Sequence, residues 1–264
     1  MTFLKNRVDG DVVVLLHSSM SSKSQWNRLI KQLDPSVKII ALDLYGYGDT
    51  PMPVQNAEFS LANEVELVLS TVDQQIGPDV AFHLIGHSYG GATSLRLAFE
   101  NQHRIKSLAL FEPVAFYLLD QDETAYQEVN TIVEKIKREI KQDQRQATRS
   151  FIDYWSGAGA FAAMPAETQA ALIKQIDKVC LDFQALMNDP LRLHHLHVLQ
   201  FPVCLIKGKS SPLSSRRVAE KLAQSIQNIQ CHEVEGGHMA PITHAAAVNE
   251  VLAAFVHHQI GITA

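Results

Sequence analysis

The residues of this chain whose types and spacing point most directly to chemistry are Gly86-His87-Ser88-Tyr89-Gly90-Gly91, set between a strand-like run, Val80 to Ile85, and a helix-like run, Ala92 to Glu100. A Gly-x-Ser-x-Gly turn in that context bends the chain so sharply that the serine must adopt a strained backbone, and its glycines let neighbouring backbone pass close by. The hydroxyl then stands clear at the strand end. The following helix adds its positive N-terminal dipole, and its first amide points where an oxyanion would form. Ser88 is therefore the candidate nucleophile and the Tyr89 N–H a candidate oxyanion donor. His87 adjoins the serine within the turn, so its side chain diverges from it and a packing role is expected.

Those residues need a scaffold. The 264 residues suit one large α/β domain or a domain carrying an insertion. Apolar runs of strand length alternate with helical-period segments, the pattern of a mostly parallel, doubly wound sheet covered on both faces. Strands are expected at Val12–Leu16, Lys38–Leu42, Val80–Ile85, Ser107–Phe111, Val203–Lys207 and Gln230–Val234. Helices are expected at Gln25–Leu33, Leu61–Gln75 with Ser60 as its cap, Ala92–Glu100 and His244–His258.

Between residues 113 and 200 the strand rhythm stops and helical spacing takes over, as in Tyr126, Val129, Ile132, Val133, Ile136 and Ile140. Roughly eighty residues far exceed the usual connection between neighbouring strands. The reading is a core of residues 1–112 and 201–264 with a helical lid, 113–200, over the carboxyl ends of the strands, where open α/β sheets bind ligands. Phe116, Tyr117, Trp155, Phe161 and Phe183 make that cover aromatic and the expected pocket largely apolar.

Four separated elements carry a resemblance to the α/β-hydrolase family over nearly the whole chain: Leu15-Leu16-His17-Ser18-Ser19-Met20, Leu42-Asp43-Leu44-Tyr45-Gly46-Tyr47-Gly48, the Ser88 turn, and Gly236-Gly237-His238-Met239-Ala240-Pro241. Similarity to that family implies a Ser-acid-His triad in chain order, hydrolysis of an acyl or related bond, an oxyanion hole shared by two loops, and no organic cofactor or metal. His238 is the matching base. Three strand spacings of about 4.8 Å separate its strand from the serine's, and the four residues from Val234 to His238, at about 3.3 to 3.6 Å each, just cover that gap.

The acid departs from the commonest family pattern. Ser211, in Gly208-Lys209-Ser210-Ser211-Pro212, stands where an aspartate is usual, and a hydroxyl cannot stabilise an imidazolium as a carboxylate does. Glu112 is the expected replacement, because it follows the strand beside the serine's in the family topology, a place where haloalkane dehalogenases put their acid. Rivals are Asp43, which lies on the wrong side and is expected to order the Tyr45–Gly48 turn, and the lid residues Asp120 and Asp122. The second oxyanion donor is expected to be the Ser19 N–H, with Met20 as the alternative. Ser18 replaces the family's usual glycine, so either the turn is relaxed or the Ser18 hydroxyl makes a local bond.

A serine nucleophile points away from the dehalogenases and epoxide hydrolases of this fold, which attack with an aspartate. The reading is hydrolysis of a small, largely apolar ester through an acyl-enzyme. Carbon–carbon bond hydrolysis, acyl transfer and a low-turnover ligand-binding protein are the alternatives.

Composition narrows the partners. A net charge of -5 indicates neither a nucleic-acid footprint nor a polybasic membrane patch. Met1 to Arg7 lacks a signal-like apolar segment and Val12–Leu16 is too short to span a bilayer, so a cytoplasmic location with a small-molecule substrate is expected. Cys180, Cys204 and Cys231 are odd in number and widely spaced, which fits reduced core thiols. The histidines at 194, 195, 197, 257 and 258 lack acid or thiol companions and are read as surface or packing groups. Oligomeric state is not legible in the sequence.

Overall fold

A computed structural model of the chain describes residues 3–4, 10–54 and 59–262. Among the described residues, seven strands form one sheet: β1 (Phe3–Leu4), β2 (Val12–Leu16), β3 (Lys38–Leu42), β4 (Phe82–His87), β5 (Ile105–Phe111), β6 (Val203–Gly208) and β7 (Ile229–Val234), in the order β1-β3-β2-β4-β5-β6-β7. All pairings are parallel except β1 with β3. β2 is apolar and buried at every position because both faces are covered. In β2, Val12, Val14 and Leu16 pack on one side of the sheet, while Val13 and Leu15 pack on the other.

The second side is covered by α1 (Asn27–Ile30) and by α10 (Ala240–Thr243) with α11 (Ala245–Gln259), through Trp26, Leu29, Val248 and Leu252. The first side carries α2 (Leu61–Ile76), α3 (Tyr89–Glu100) and α9 (Leu213–Ser225). Ser60 caps α2 in a reciprocal box with Asn63, satisfying amides that the first helical turn leaves free.

Between β5 and β6 the described residues contain helices and no strand: α4 (Thr124–Glu139), α5 (Gln144–Ser156), α6 (Ala160–Ala163), α7 (Ala166–Ile173) and α8 (Ile176–Asn188), with shorter 3-10 turns at either end. Their apolar faces join the core cluster of the first side, so these helices and the sheet share one interior. No helix among the described residues is long and apolar enough to cross a membrane. The cysteines are free: Cys204 is buried in β6, Cys180 is half-buried in α8 and Cys231 is exposed on β7.

Several boundaries differ from the sequence expectation. The serine's strand starts at Phe82 because Val80 is exposed, and it runs on through Gly86 and His87, which pair with Leu110 and Phe111. Helix α3 starts at Tyr89, since Ser88 itself is the N-cap. Gln25–Leu33 is not one helix but a 3-10 turn, Lys23–Trp26, followed by one α-turn, because only Trp26, Leu29 and Leu33 have core to fill. The last helix breaks at His244, whose backbone leaves the helical region. β1 is too short to show a period.

Candidate active site

The parallel register brings the carboxyl ends of five strands level: Leu16 opposite Gly86, His87 opposite Phe111, Phe111 opposite Ile206, and Gly208 opposite Val234. The candidate residues all follow these ends. β4 and β5 finish with the same device. The Ser88 N–H donates to Phe111 O at 3.0 Å and the Glu112 N–H to Ile206 O at 3.0 Å, each extending the ladder by one bond. Each residue then takes a positive φ, +57° for Ser88 and +39° for Glu112, which throws its side chain over the sheet end. Such conformations cost about 1–3 kcal/mol for a non-glycine residue and persist where the surroundings over-determine them. Glycine makes the turn possible: a Cβ at Gly90 would sit 2.4 Å from His17 O, and one at Gly86 2.4 Å from Ser94 Oγ.

Ser88, His238 and Glu112 come together in one hydrogen-bonded line. The Ser88 Oγ lies 2.8 Å from His238 Nε2, and His238 Nδ1 lies 2.7 Å from Glu112 Oε2. Because the carboxylate only accepts, Nδ1–H donates to it and Nε2 is left to accept from Ser88. The other Glu112 oxygen accepts the Gly208 N–H at 2.7 Å. Burial alone raises the Glu112 carboxyl, but the hydrogen bond and charge of His238, with the Gly208 amide, outweigh it and hold the group below the usual glutamate range. Ser211, at the usual acid position, is buried and uncharged.

The rival acids are engaged elsewhere. Asp43 accepts from the Lys23 amide at 2.7 Å, the Lys23 ammonium at 2.6 Å and the Asp49 N–H at 3.1 Å, bracing the turn after β3. Asp120 pairs with Lys221 at 2.7 Å, and Asp122 is exposed. His87 is buried, and its Nε2–H donates to the carbonyl of His238 at 2.9 Å, so it steadies the loop that carries His238.

On the oxyanion side, Tyr89 is the first residue of α3, and its amide has no intrahelical acceptor by position. Ser19 lines the same chamber as Ser88. The positive φ of this turn is at Met20, +55°, and not at Ser18. Ser18 N–H and Oγ both donate to Gln25 Oε1, at 3.2 and 3.0 Å, the local bond that lets serine stand where glycine is usual. Met20 is not among the residues that line this chamber, which favours Ser19 over Met20 as the donor.

The chamber beside Ser88 is lined by Ser19, Val114, Phe116, Phe151, Trp155, Val179, Asp182, Phe183 and Leu186 and has an open volume of about 10 Å³. Of the aromatic residues expected to face it, Phe116, Trp155 and Phe183 do, whereas Tyr117 lines a separate cleft and Phe161 packs under Arg145. Trp155 lies 4.1 Å from the His238 ring and also walls a second cleft of about 650 Å³ that includes Tyr154, Ser211, Gly237 and Met239.

A family model described as the alpha/beta hydrolase fold matches residues 11–245. The chain belongs to the α/β-hydrolase fold family. A haloalkane dehalogenase from Agrobacterium fabrum (strain C58 / ATCC 33970) is 31% identical over 105 residues, covering 40% of this chain and 33% of its own length. A poly(3-hydroxyalkanoate) depolymerase from Ectopseudomonas oleovorans is 25% identical over 236 residues, 87% of this chain and 78% of its own. Among solved structures, the enol-lactonase from Burkholderia xenovorans LB400 superposes with a TM-score of 0.79 at 17% identity, over 97% of this chain and 95% of that one, a likeness of fold. The chain thus spans about a third of the dehalogenase's length but most of the depolymerase's.

Sequence reasoning missed a buried polar cluster beside the site of this hydrolase-fold protein. Lys178 and Asp182 of α8, Glu64 of α2 and Tyr47 are all buried. Lys178 pairs with Asp182 and, at 3.1 Å, with Glu64. In the sequence, Lys178 and Asp182 read as an ordinary exposed i,i+4 pair, and nothing local marks Glu64 as their partner.

Proposed function

We propose that this protein is a serine hydrolase that cleaves carboxylic esters with small, largely apolar acyl groups. The observation that carries the reading is the continuous line from Ser88 Oγ through His238 to Glu112, with contacts of 2.8 and 2.7 Å. His238 Nε2 takes the hydroxyl proton as Ser88 Oγ bonds to the ester carbonyl carbon. The carbonyl π pair moves onto oxygen, which accepts from the amides of Tyr89 and Ser19. Collapse breaks the bond to the alkoxy oxygen, and the leaving alcohol receives the proton from His238. A water deprotonated by His238 then attacks the acyl-enzyme, and Ser88 leaves with its proton restored. Glu112 stays ionised and keeps the imidazole in the working tautomer.

Halide displacement, suggested by the dehalogenase similarity, does not fit the serine. Attack on a haloalkane carbon would leave a serine ether with no carbonyl for water to enter, so the enzyme would stop after one turnover.

The test is a panel of p-nitrophenyl esters graded by acyl length, run on wild type and Ser88→Ala. Wild type is expected to release nitrophenol from the short esters, and the substitution to lower kcat by about 10⁴-fold or more. Tight binding of the esters without release from any member would overturn the reading in favour of a binding protein.

A further inference from the structure

Lys178 comes from the insertion and is wholly buried. Three rings enclose its ammonium, those of Tyr47, Phe59 and Tyr89, with centroids 5.0, 4.7 and 4.6 Å from Nζ. The two carboxylates it meets each lead to a different side of the serine. Glu64 Oε1 accepts from Lys178 and, at 3.0 Å, from the Tyr89 hydroxyl. Asp182 accepts from Lys178 through one oxygen; its other oxygen accepts from Ser19 Oγ at 2.6 Å and from Tyr47 OH at 2.5 Å. Ser19 and Tyr89 are the two residues whose amides the mechanism above uses for the oxyanion, and they lie in different loops.

We propose that Lys178 is a positioning residue for the oxyanion hole, holding Ser19 through Asp182 and Tyr89 through Glu64. The proposal rests on the reading of Ser88 as an acyl-forming nucleophile. Stability is a poor reason for such a cluster: a buried ion triad must overcome the desolvation of every charge, and apolar residues of the same shape serve as well or better. What the triad provides is direction. The turn that carries Ser19 includes Met20 at a φ of +55° and needs restraint from outside itself. Asp182 supplies it directly, accepting from the Ser19 hydroxyl through the same oxygen that binds Tyr47 OH. Charge gives a second reason. Asp182 lines the same chamber as Ser88, and an uncompensated carboxylate there would repel a developing oxyanion; Lys178 offsets it.

The experiment measures kcat and KM for p-nitrophenyl butyrate, together with the affinity for a trifluoromethyl ketone whose adduct with Ser88 places an oxyanion in the hole. Ser19→Ala and Tyr89→Phe each cut one tether, and the triple substitution Lys178→Met, Glu64→Met, Asp182→Leu removes the cluster's charges and its acceptor oxygens together, leaving no buried charge unpaired. Each single change is expected to lower kcat about tenfold, and the pair together about a hundredfold, less than the loss of a whole donor in each case. KM should stay within about twofold, and ketone affinity should fall in step with kcat/KM. The triple variant should match the pair, and should it fail to fold, the single variants and the pair decide. Folded variants with wild-type kcat, or with lowered kcat and undiminished ketone affinity, overturn the proposal. A wild type that neither turns over the ester nor captures the ketone overturns the ester-hydrolase reading itself and this proposal with it.

Discussion

At the scale of single residues, the proposed mechanism depends on a glutamate that follows its strand with a φ of +39° and spans two contacts, His238 at 2.7 Å and the Gly208 amide at 2.7 Å. Glu112→Gln keeps size and shape, but its neutral amide cannot stabilise an imidazolium and offers it an N–H as readily as an oxygen. The expected outcome is a fall in kcat of about 10³ to 10⁴-fold with the melting temperature little changed. Steady-state kinetics beside thermal unfolding check it, and an unchanged rate would remove Glu112 from the mechanism. Ser88 and His238 were legible because each sits in a short glycine-framed motif. Glu112 was legible only indirectly, through the missing acid at position 211 and the family topology. The cluster around Lys178 was not legible at all, because a lysine four residues before an aspartate looks the same on an exposed helix as on a buried one.

At the scale of elements, the close approach of α3 to β2 has a sharp test. The Gly90 N–H donates to His17 O at 3.1 Å, and a Cβ there would stand 2.4 Å from that oxygen and 2.6 Å from Leu16 O. Both are backbone atoms of a central strand and its first loop residue, so they cannot give way cheaply. Gly90→Ala is expected to cost about 2 kcal/mol or more, lowering the melting temperature by about 4–8 °C. The inserted helices offer a second test. Trp155 of α5 stacks on Phe116 with an interplanar angle of 12°, lies against His238, and separates the chamber beside Ser88 from the cleft of about 650 Å³. Trp155→Ala joins the two spaces, and the ratio of kcat/KM for p-nitrophenyl octanoate over acetate should rise about tenfold or more. An unchanged ratio would mean that the outer cleft takes no part in binding the acyl chain.

For the whole molecule, buried histidines set the acid limb of stability. Burial lowers His17 to about 4. Its Nδ1–H donates to Ser18 O at 2.7 Å while its Nε2 accepts the Leu44 N–H at 3.1 Å, a pairing that only the neutral ring can make. Burial likewise carries His87 well below the ordinary histidine value of 6.5. Both folded-state values are depressed, so their contribution is fully present above pH 6.5 and is lost as the pH falls from there towards about 4. Unfolding at pH 5.5 should therefore take up about two protons or more. Calorimetry in buffers of different ionisation enthalpy measures that number, and an uptake near zero would show that these rings are already charged in the fold.

What the sequence determined by itself was set by short-range pattern: six of the strands, most of the helices beside them, the strained serine turn, the glycine-framed histidine and the strand-free helical stretch between β5 and β6. Backbone sterics and the burial of alternating apolar residues act over a few positions, so a linear reading captures them. The tertiary structure alone decided which distant side chains meet. Glu112 reaches His238 across 126 positions, Lys178 reaches Glu64 across 114, and Ser19 reaches Asp182 across 163. Those contacts depend on the register of five strand ends and on how the helices between β5 and β6 seat against the sheet, and both are set by the packing of one shared interior rather than by any local run of residues.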